Sequence, residues 1–198
     1  DVVMLGRWEQ DNDPENGSEP IEWLVLDRID NHLLLLSMKC IDGGAYHTDP
    51  FAEVTWEDSD MRSRLNHDFF TTAFSDDEKL FIPEVQNSNA DQSVVGTEGG
   101  NDTSDRVFLL SETEIRIYLN DEFARDSIGK TYATEYAVAH GVEIDGEGYA
   151  SWWLRSPGIY PYSAQFVDQN GSLYLSGAYT DVDYQFGIRP AIWISLAD

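Results

Sequence analysis

The sequence is short of cysteine, of basic side chains and of long apolar runs. One cysteine, Cys40, excludes an internal disulfide framework and any zinc cluster built on thiolates. Only 12 Lys and Arg stand against 37 Asp and Glu, a net charge of −25. That deficit argues against a nucleic-acid backbone or an anionic bilayer as partner, because both demand basic patches. The longest aliphatic run, residues 33–36, has the length of a strand. It is far from the ~18–20 residues of a membrane helix, so no direct membrane insertion is expected. No signal-peptide pattern is visible. Because the chain begins at Asp1 and not at Met, it reads as a processed or trimmed form. A cell-surface, secreted or phage-associated setting is slightly favoured over the cytoplasm. A nucleophile elbow, a phosphate-binding loop and a dinucleotide fingerprint are all missing. The histidines, His32, His47, His67 and His140, are scattered and none pairs at i,i+2 or i,i+4. His47 with Asp49 and Glu53 comes nearest to a metal cluster, and a surface loop explains it better.

What is present is core-forming material. The chain is 41% hydrophobic and 13% aromatic, with six Trp, which excludes a disordered chain. Its 198 residues fit one domain, 1–198, that buries roughly two-thirds of its unfolded surface. Residues 7–10, 21–26 and 33–38 read as an antiparallel meander of strands. Asp58 or Ser59 suits the cap of a helix carrying Met61, Leu65, Phe69 and Phe70. Ser75 with Glu78, and Ser111 with Glu114, have capping-box spacing. Residues 131–140 predict a helix closed by Gly141. Residues 87–105 read as a long polar loop, and 107–110 as a short buried strand. In the last third, 151–156 and 187–194 are apolar and each holds one Arg. Between them Asn170-Gly171 predicts a type I′ hairpin. Alternation sets Ala164, Phe166, Leu173 and Leu175 inward, with Gln165, Ser172, Tyr174 and Ser176 facing the other way. The class is α+β.

Charge divides the chain unevenly. Residues 1–150, an acidic scaffold, hold 33 acids and 10 bases; residues 151–198 hold four and two. Residues 156–188 contain no Lys or Arg but five of the ten tyrosines, in a background of Ser, Gly, Asp and Asn. Such a mixture suits recognition. Tyrosine offers amphipathic contact area at low rotamer cost, and the small polar residues offer adaptable hydrogen bonds.

The order of motifs carries a resemblance. Trp23-Leu24-Val25-Leu26, Leu34-Leu35-Leu36-Ser37 and Thr55-Trp56-Glu57-Asp58-Ser59 with Arg62, Leu65 and Asn66 come first. Phe108-Leu109-Leu110-Ser111, Trp152-Trp153-Leu154-Arg155-Ser156-Pro157-Gly158 and Gly187-Ile188-Arg189-Pro190-Ala191 follow. The set resembles a bacterial domain of unknown function common in gut Firmicutes. The Gly-Ile-Arg-Pro-Ala ending is similar to the last strand of the C-type-lectin-like fold, as in formylglycine-generating enzymes and in variable proteins of diversity-generating retroelements. In the latter, rewritten adenines near the end of the gene produce a binding surface on a fixed scaffold. The resemblance implies a C-type-lectin-like fold and makes Tyr160, Tyr162, Asp168, Tyr174, Ser176, Tyr179, Asp181, Asp183 and Tyr184 candidate ligand contacts. It implies a protein or carbohydrate ligand.

Enzymatic readings fare worse. Formylglycine generation requires a reactive cysteine pair in the C-terminal half, and Cys40 stands alone beside an apolar strand. Trp152, Trp153 and Trp193 read as core, and Arg155 and Arg189, in apolar surroundings, as structural cations needing a carboxylate or carbonyl partner. Asp11, Asp13, Glu15, Gly17, Glu19 and Glu22 follow the spacing of a calcium loop, but Asn16 stands at the turn glycine and Pro20 interrupts. No cofactor is expected, and calcium is the one ion this acidic body would suit. The rivals are a fixed carbohydrate-binding or adhesion module and a hydrolase using two of the many carboxylates.

Overall fold

A computed structural model describes residues 1–181 and 184–196. The meander expected at the start is β1 (Val2–Trp8), β2 (Glu19–Ile29) and β3 (His32–Ser37), followed by the short β4 (Asp42–Gly43). The middle carries α1 (Asp60–Arg64), a π-helical turn (Leu65–Phe69) and α2 (Phe70–Ala73), then α3 (Asp76–Lys79). Next come β5 (Val85–Asn87), β6 (Thr103–Asp105), α4 (Glu112–Tyr118), α5 (Glu122–Ala124), a second π-helical turn (Arg125–Gly129) and α6 (Glu135–Ala139). The last third is β7 (Trp152–Pro157), β8 (Ser163–Val167), β9 (Leu173–Tyr179), β10 (Gly187–Ile188) and β11 (Ala191–Ser195).

These elements make one mixed α+β domain with mostly antiparallel strands and short helices. One sheet has the order β1-β2-β3-β11 and a second the order β4-β10-β7-β8-β9; β5 and β6 form a separate ribbon. Among the named strands of the described residues, the parallel pairing is that of β10 with β7. Among the described residues, no helix is long and apolar enough to cross a membrane.

Local chemistry explains the helix starts. Ser59 caps α1 by accepting from Arg62 N–H at 3.1 Å, and both expected capping boxes form, at Ser75 and at Ser111. Met61, Leu65, Phe69 and Ala73 are all buried. A four-residue spacing drifts around a regular α-helix, and the wider π turn keeps these side chains on one face. Three expectations need correction. The helix read over 131–140 starts at Thr134, its cap, because Tyr132 and Ala133 bridge to Tyr149 and Cys40 instead. The polar stretch 87–105 is a loop only between the paired β5 and β6. Residues 107–110 are fully buried, yet only Phe108 makes a strand-like bridge, to Ala191. The carbonyls of Val107, Leu109 and Leu110 go to the Asn66 amide, the Arg155 guanidinium and Arg155 N–H, so a ladder cannot run there.

The apolar segment 187–194 is divided between two strands, β10 and β11. Pro190 cannot donate to a ladder, and the chain leaves one sheet after β10 and enters the other at β11. The link from β3 to β4 crosses alongside. Ser37 N–H donates to Pro190 O at 3.0 Å and Ile41 N–H to Ile188 O at 3.1 Å. Arg189 is buried between the crossings. Its guanidinium donates to the carbonyls of Ser37, Ile128 and Met38 and lies 4.9 Å from the Trp152 ring centroid. Burial lowers the Arg189 pKa to about 10 and pushes the Cys40 thiol up to about 12, the latter against the pull of the guanidinium. A Cβ at Gly187 would fall 2.4 Å from Cys40 Sγ, so only glycine fits.

A second buried node ties the helical segment to the ribbon. The Asp105 carboxylate accepts from Trp56 Nε1 and Asn87 Nδ2 at 3.0 Å each, Thr103 Oγ1 at 2.7 Å and Arg62 Nε at 2.6 Å. Burial alone would raise its pKa; these four donors outweigh that and hold it below the usual range.

Candidate functional site

The β8–β9 hairpin sets the geometry of the site. Its turn is a three-residue loop and not the two-residue type I′ turn expected from Asn170-Gly171. Gly171 N–H donates to Asp168 O at 2.9 Å, Asp168 N–H to Ser172 O at 2.9 Å, and the positive φ of +78° falls on Gly171 alone. That is a type I turn closed by a left-handed glycine. Asp168 braces it, Oδ1 accepting from the N–H groups of Asn170 at 2.9 Å and Ser172 at 2.8 Å.

Register then sets rings side by side. Trp153 pairs with Phe166, and Phe166 with Tyr174, so the three side chains lie in a row across β7, β8 and β9. The Phe166 and Tyr174 rings stack at 4.9 Å, and Phe186 covers both Phe166 at 4.6 Å and Trp153 at 4.7 Å. Tyr184 meets Phe186 at 5.7 Å and Tyr179 at 6.1 Å. Tyr179 meets Tyr162 at 5.7 Å, and Tyr162 stacks on Tyr160 at 5.3 Å. From a distant loop, Phe51 closes on Tyr162 and Tyr179, each at 5.7 Å. Eight rings thus form a continuous row whose inner end rests on the buried Trp153.

The row is largely open to solvent: Phe51 is 62% exposed, Tyr174 49% and Tyr160 45%. Phe51 also has φ of +55°, an uncommon conformation for an aromatic residue, and it holds the ring against Tyr162 and Tyr179. The turn bearing Tyr160 is fixed by Ser163, whose Oγ accepts from Tyr160 N–H at 3.1 Å and whose N–H donates to Tyr160 O at 3.0 Å.

Of the nine candidate contacts, the five tyrosines come together in this row. Ser176 is exposed on β9, while its carbonyl accepts from Ile159 N–H at 3.0 Å. Asp168 serves the turn, and Asp181 is buried. Asp183 lies outside the described residues. Three members of the row, Phe51, Phe166 and Phe186, were missed. Alternation assigns Phe166 to the inner face and Gln165 to the outer. Gln165 is in fact fully buried, its amide donating to Glu112 Oε2 at 2.8 Å and Pro157 O at 3.0 Å, because α4 covers that side of the sheet. Nothing in the local sequence marks Phe51.

The flanking motifs are structural. All five N–H donors of Arg155 are engaged: two on Glu114, and the others on Asn89 Oδ1 and the carbonyls of Leu109 and Ser88. Trp152 and Trp153 are fully buried, whereas Trp193 is only partly so. Cys40 is buried with a raised pKa, which suits a packed thiol and not a nucleophile.

The acidic loop near the start joins two strands, not two helices. Of its six spaced carboxylate and glycine positions, Asp11 and Glu19 meet, together with Glu9; one oxygen from each of the three lies within 4.8 Å of the others. Partial removal from water, then contact with Asp11, raises the Glu9 pKa. Asp13 caps Glu15 N–H, and Glu22 sits on β2 opposite Met4. His47 does not join Asp49 and Glu53 in a cluster; its Nδ1 accepts from Asp60 N–H at 3.3 Å.

Comparison with known proteins returned no match among curated proteins and none among solved structures. A family model, described as a domain of unknown function (DUF6273), matches residues 30–196. That span takes in β3 through β11 and all eight rings of the row, and the chain belongs to the DUF6273 family.

Proposed function

We propose that this domain is a ligand-binding module, not an enzyme, and that the ring row is its recognition surface for a protein or glycan. The observation carrying this reading is the row itself: eight contiguous rings, several half-exposed, seven of them on a stretch without a single basic side chain. Exposed aromatic area of this kind is uncommon on a surface with no partner. Tyrosine rings supply contact area while their hydroxyls stay free to hydrogen-bond. Ser176 adds a small polar contact beside them.

The finer reading is a C-type-lectin-like scaffold whose ring-bearing positions are rewritten by a diversity-generating retroelement. Its support is the contrast between exposed Tyr160, Tyr174, Tyr179 and Tyr184 and the buried Trp-Trp and Arg-Pro-Ala frame. Codon-resolved sequencing of the gene in a growing host population tests it. Adenine-confined substitution over 156–188 with fixed flanks is expected, and an invariant segment would sink it.

The module reading has its own test. A variant carrying Tyr160→Ala, Tyr174→Ala and Tyr184→Ala is compared with the parent on glycan and protein arrays. It should keep its thermal transition and lose every ligand the parent retains. Unchanged retention would overturn the reading.

A further inference from the structure

Two clefts flank the ring row. One, about 440 Å³, lies between loop residues 95–98 and residues 159–161; the other, about 340 Å³, lies beside Tyr184 and Phe186. Neither is lined by Lys or Arg. The clefts beside Trp8, beside Asp60 and beside Ser111 each contain at least one arginine.

The larger flanking cleft combines two chemistries. Val54, Val95, Ile159 and Pro161 make it apolar, and Glu53, Asp58 and Glu98 bring three exposed carboxylates. Among the described residues, no hydrogen bond or ion pair engages those carboxylates. They are also too far apart to share one metal ion, since the described group that could do so is Glu9, Asp11 and Glu19. Pro161 sits between the stacked Tyr160 and Tyr162, so the cleft runs directly into the ring row.

The cleft is braced from inside. Buried Gln92 accepts from the N–H groups of Val94 and Val95 at 2.7 Å each and donates to Leu175 O at 3.2 Å. Thr97 Oγ1 donates to Ile159 O at 3.0 Å, and Val54 N–H to Pro161 O at 2.9 Å. Yet Val95 remains 59% exposed. Walls already fixed in place lose little freedom on binding.

We infer that this cleft seats a lysine- or arginine-bearing apolar segment of a protein ligand, an assignment that rests on the binding-module reading and narrows it. The aliphatic stem of such a residue covers the valine, isoleucine and proline walls while its head reaches the carboxylates. The neighbouring tyrosine faces add cation–π attraction. A neutral sugar would leave three carboxylates uncompensated, and an anionic ligand would be repelled.

The probe is a displayed library of random twelve-residue peptides, selected on the full chain. Enrichment of peptides that alternate Lys or Arg with aliphatic residues is expected. Their affinity should fall about tenfold in a Glu53→Gln, Asp58→Asn, Glu98→Gln variant and by a similar factor in high salt. All three sites are exposed, and an unchanged melting temperature confirms folding. The triple tyrosine variant runs in parallel. Binding lost there but untouched by the carboxylate variant overturns the cleft assignment and leaves the module reading intact. Binding untouched by both overturns both. Enrichment of neutral or acidic peptides, no enrichment at all, or equal binding of free spermidine each overturns the assignment of a basic apolar segment.

Discussion

The buried arginine nodes and the ring row handle polarity in opposite ways. Arg155 and Arg189 are enclosed, and their guanidiniums are consumed by internal acceptors from chain segments far apart in sequence. The ring row has no cation, and its members touch mainly one another. A buried charge fixes its surroundings because displacing a partner leaves an uncompensated group. Stacked exposed rings impose no such demand, so their identities can change at little cost to the fold. The contrast teaches where this domain tolerates variation and where it does not.

The contrast is sharpest at Asp105. Removing its carboxylate in Asp105→Ala strands Trp56, Asn87, Thr103 and Arg62, and should cost about 3–5 kcal/mol in urea unfolding. The same group predicts an acid limb. Its folded pKa is lowered, so its stabilisation is complete above the unfolded value of 3.8 and is lost as pH falls through the folded value. The urea midpoint of the parent should therefore fall on acidification below that value, and Asp105→Asn should flatten this dependence. A parallel fall in both proteins would assign the acid sensitivity elsewhere.

Next in size is Gly187→Ala. Its methyl would collide with Cys40 Sγ and Cβ, and overpacking of this kind costs about 1–3 kcal/mol. Pairing it with Cys40→Ala should recover part of the loss in a double-mutant cycle; strict additivity would show that the clash is relieved by backbone movement. Smaller still are Tyr174→Ala and Tyr160→Ala, each expected within about 1 kcal/mol of the parent. A loss as large as that of Asp105→Ala would make the row part of the core and erase the comparison.

The smallest effect lies at the acidic loop. The raised pKa of Glu9 means that its folded state favours the proton, so its contribution declines as pH rises above the ordinary value of 4.5. Glu9→Gln should raise the melting temperature slightly at pH 7 and have no effect at pH 3. A lower melting temperature at pH 7 would show that the charge is compensated.

Much of this was legible because it is local. Ser59, Ser75 and Ser111 announce helix starts through backbone geometry a few residues away, and the opening meander follows from strand patterning. The tyrosines of the row were legible as a composition. The rest depends on long-range closure. Phe51 joins a row more than a hundred residues distant, and Gln165 is buried only because α4 covers it. Asn170-Gly171 marked a turn, but Asp168 selected the three-residue form by accepting two N–H bonds. The break at Arg189-Pro190 was hidden by continuous hydrophobicity on both sides, which does not reveal a change of sheet.

That change of sheet has a consequence for the order of assembly. β11 pairs with β3 across more than 150 residues of chain, and Arg189 bonds Ser37 over a separation of 152. During synthesis the edge of β3 therefore stays open until nearly the whole domain has left the ribosome. Closing so long a loop comes late and slows folding. Until then the leucines of residues 33–36 are an uncovered strand edge, the feature through which nascent chains stick to one another. The 33 acids of residues 1–150 are synthesised before β11 can cover that edge, and their mutual repulsion keeps unfinished chains apart during the wait.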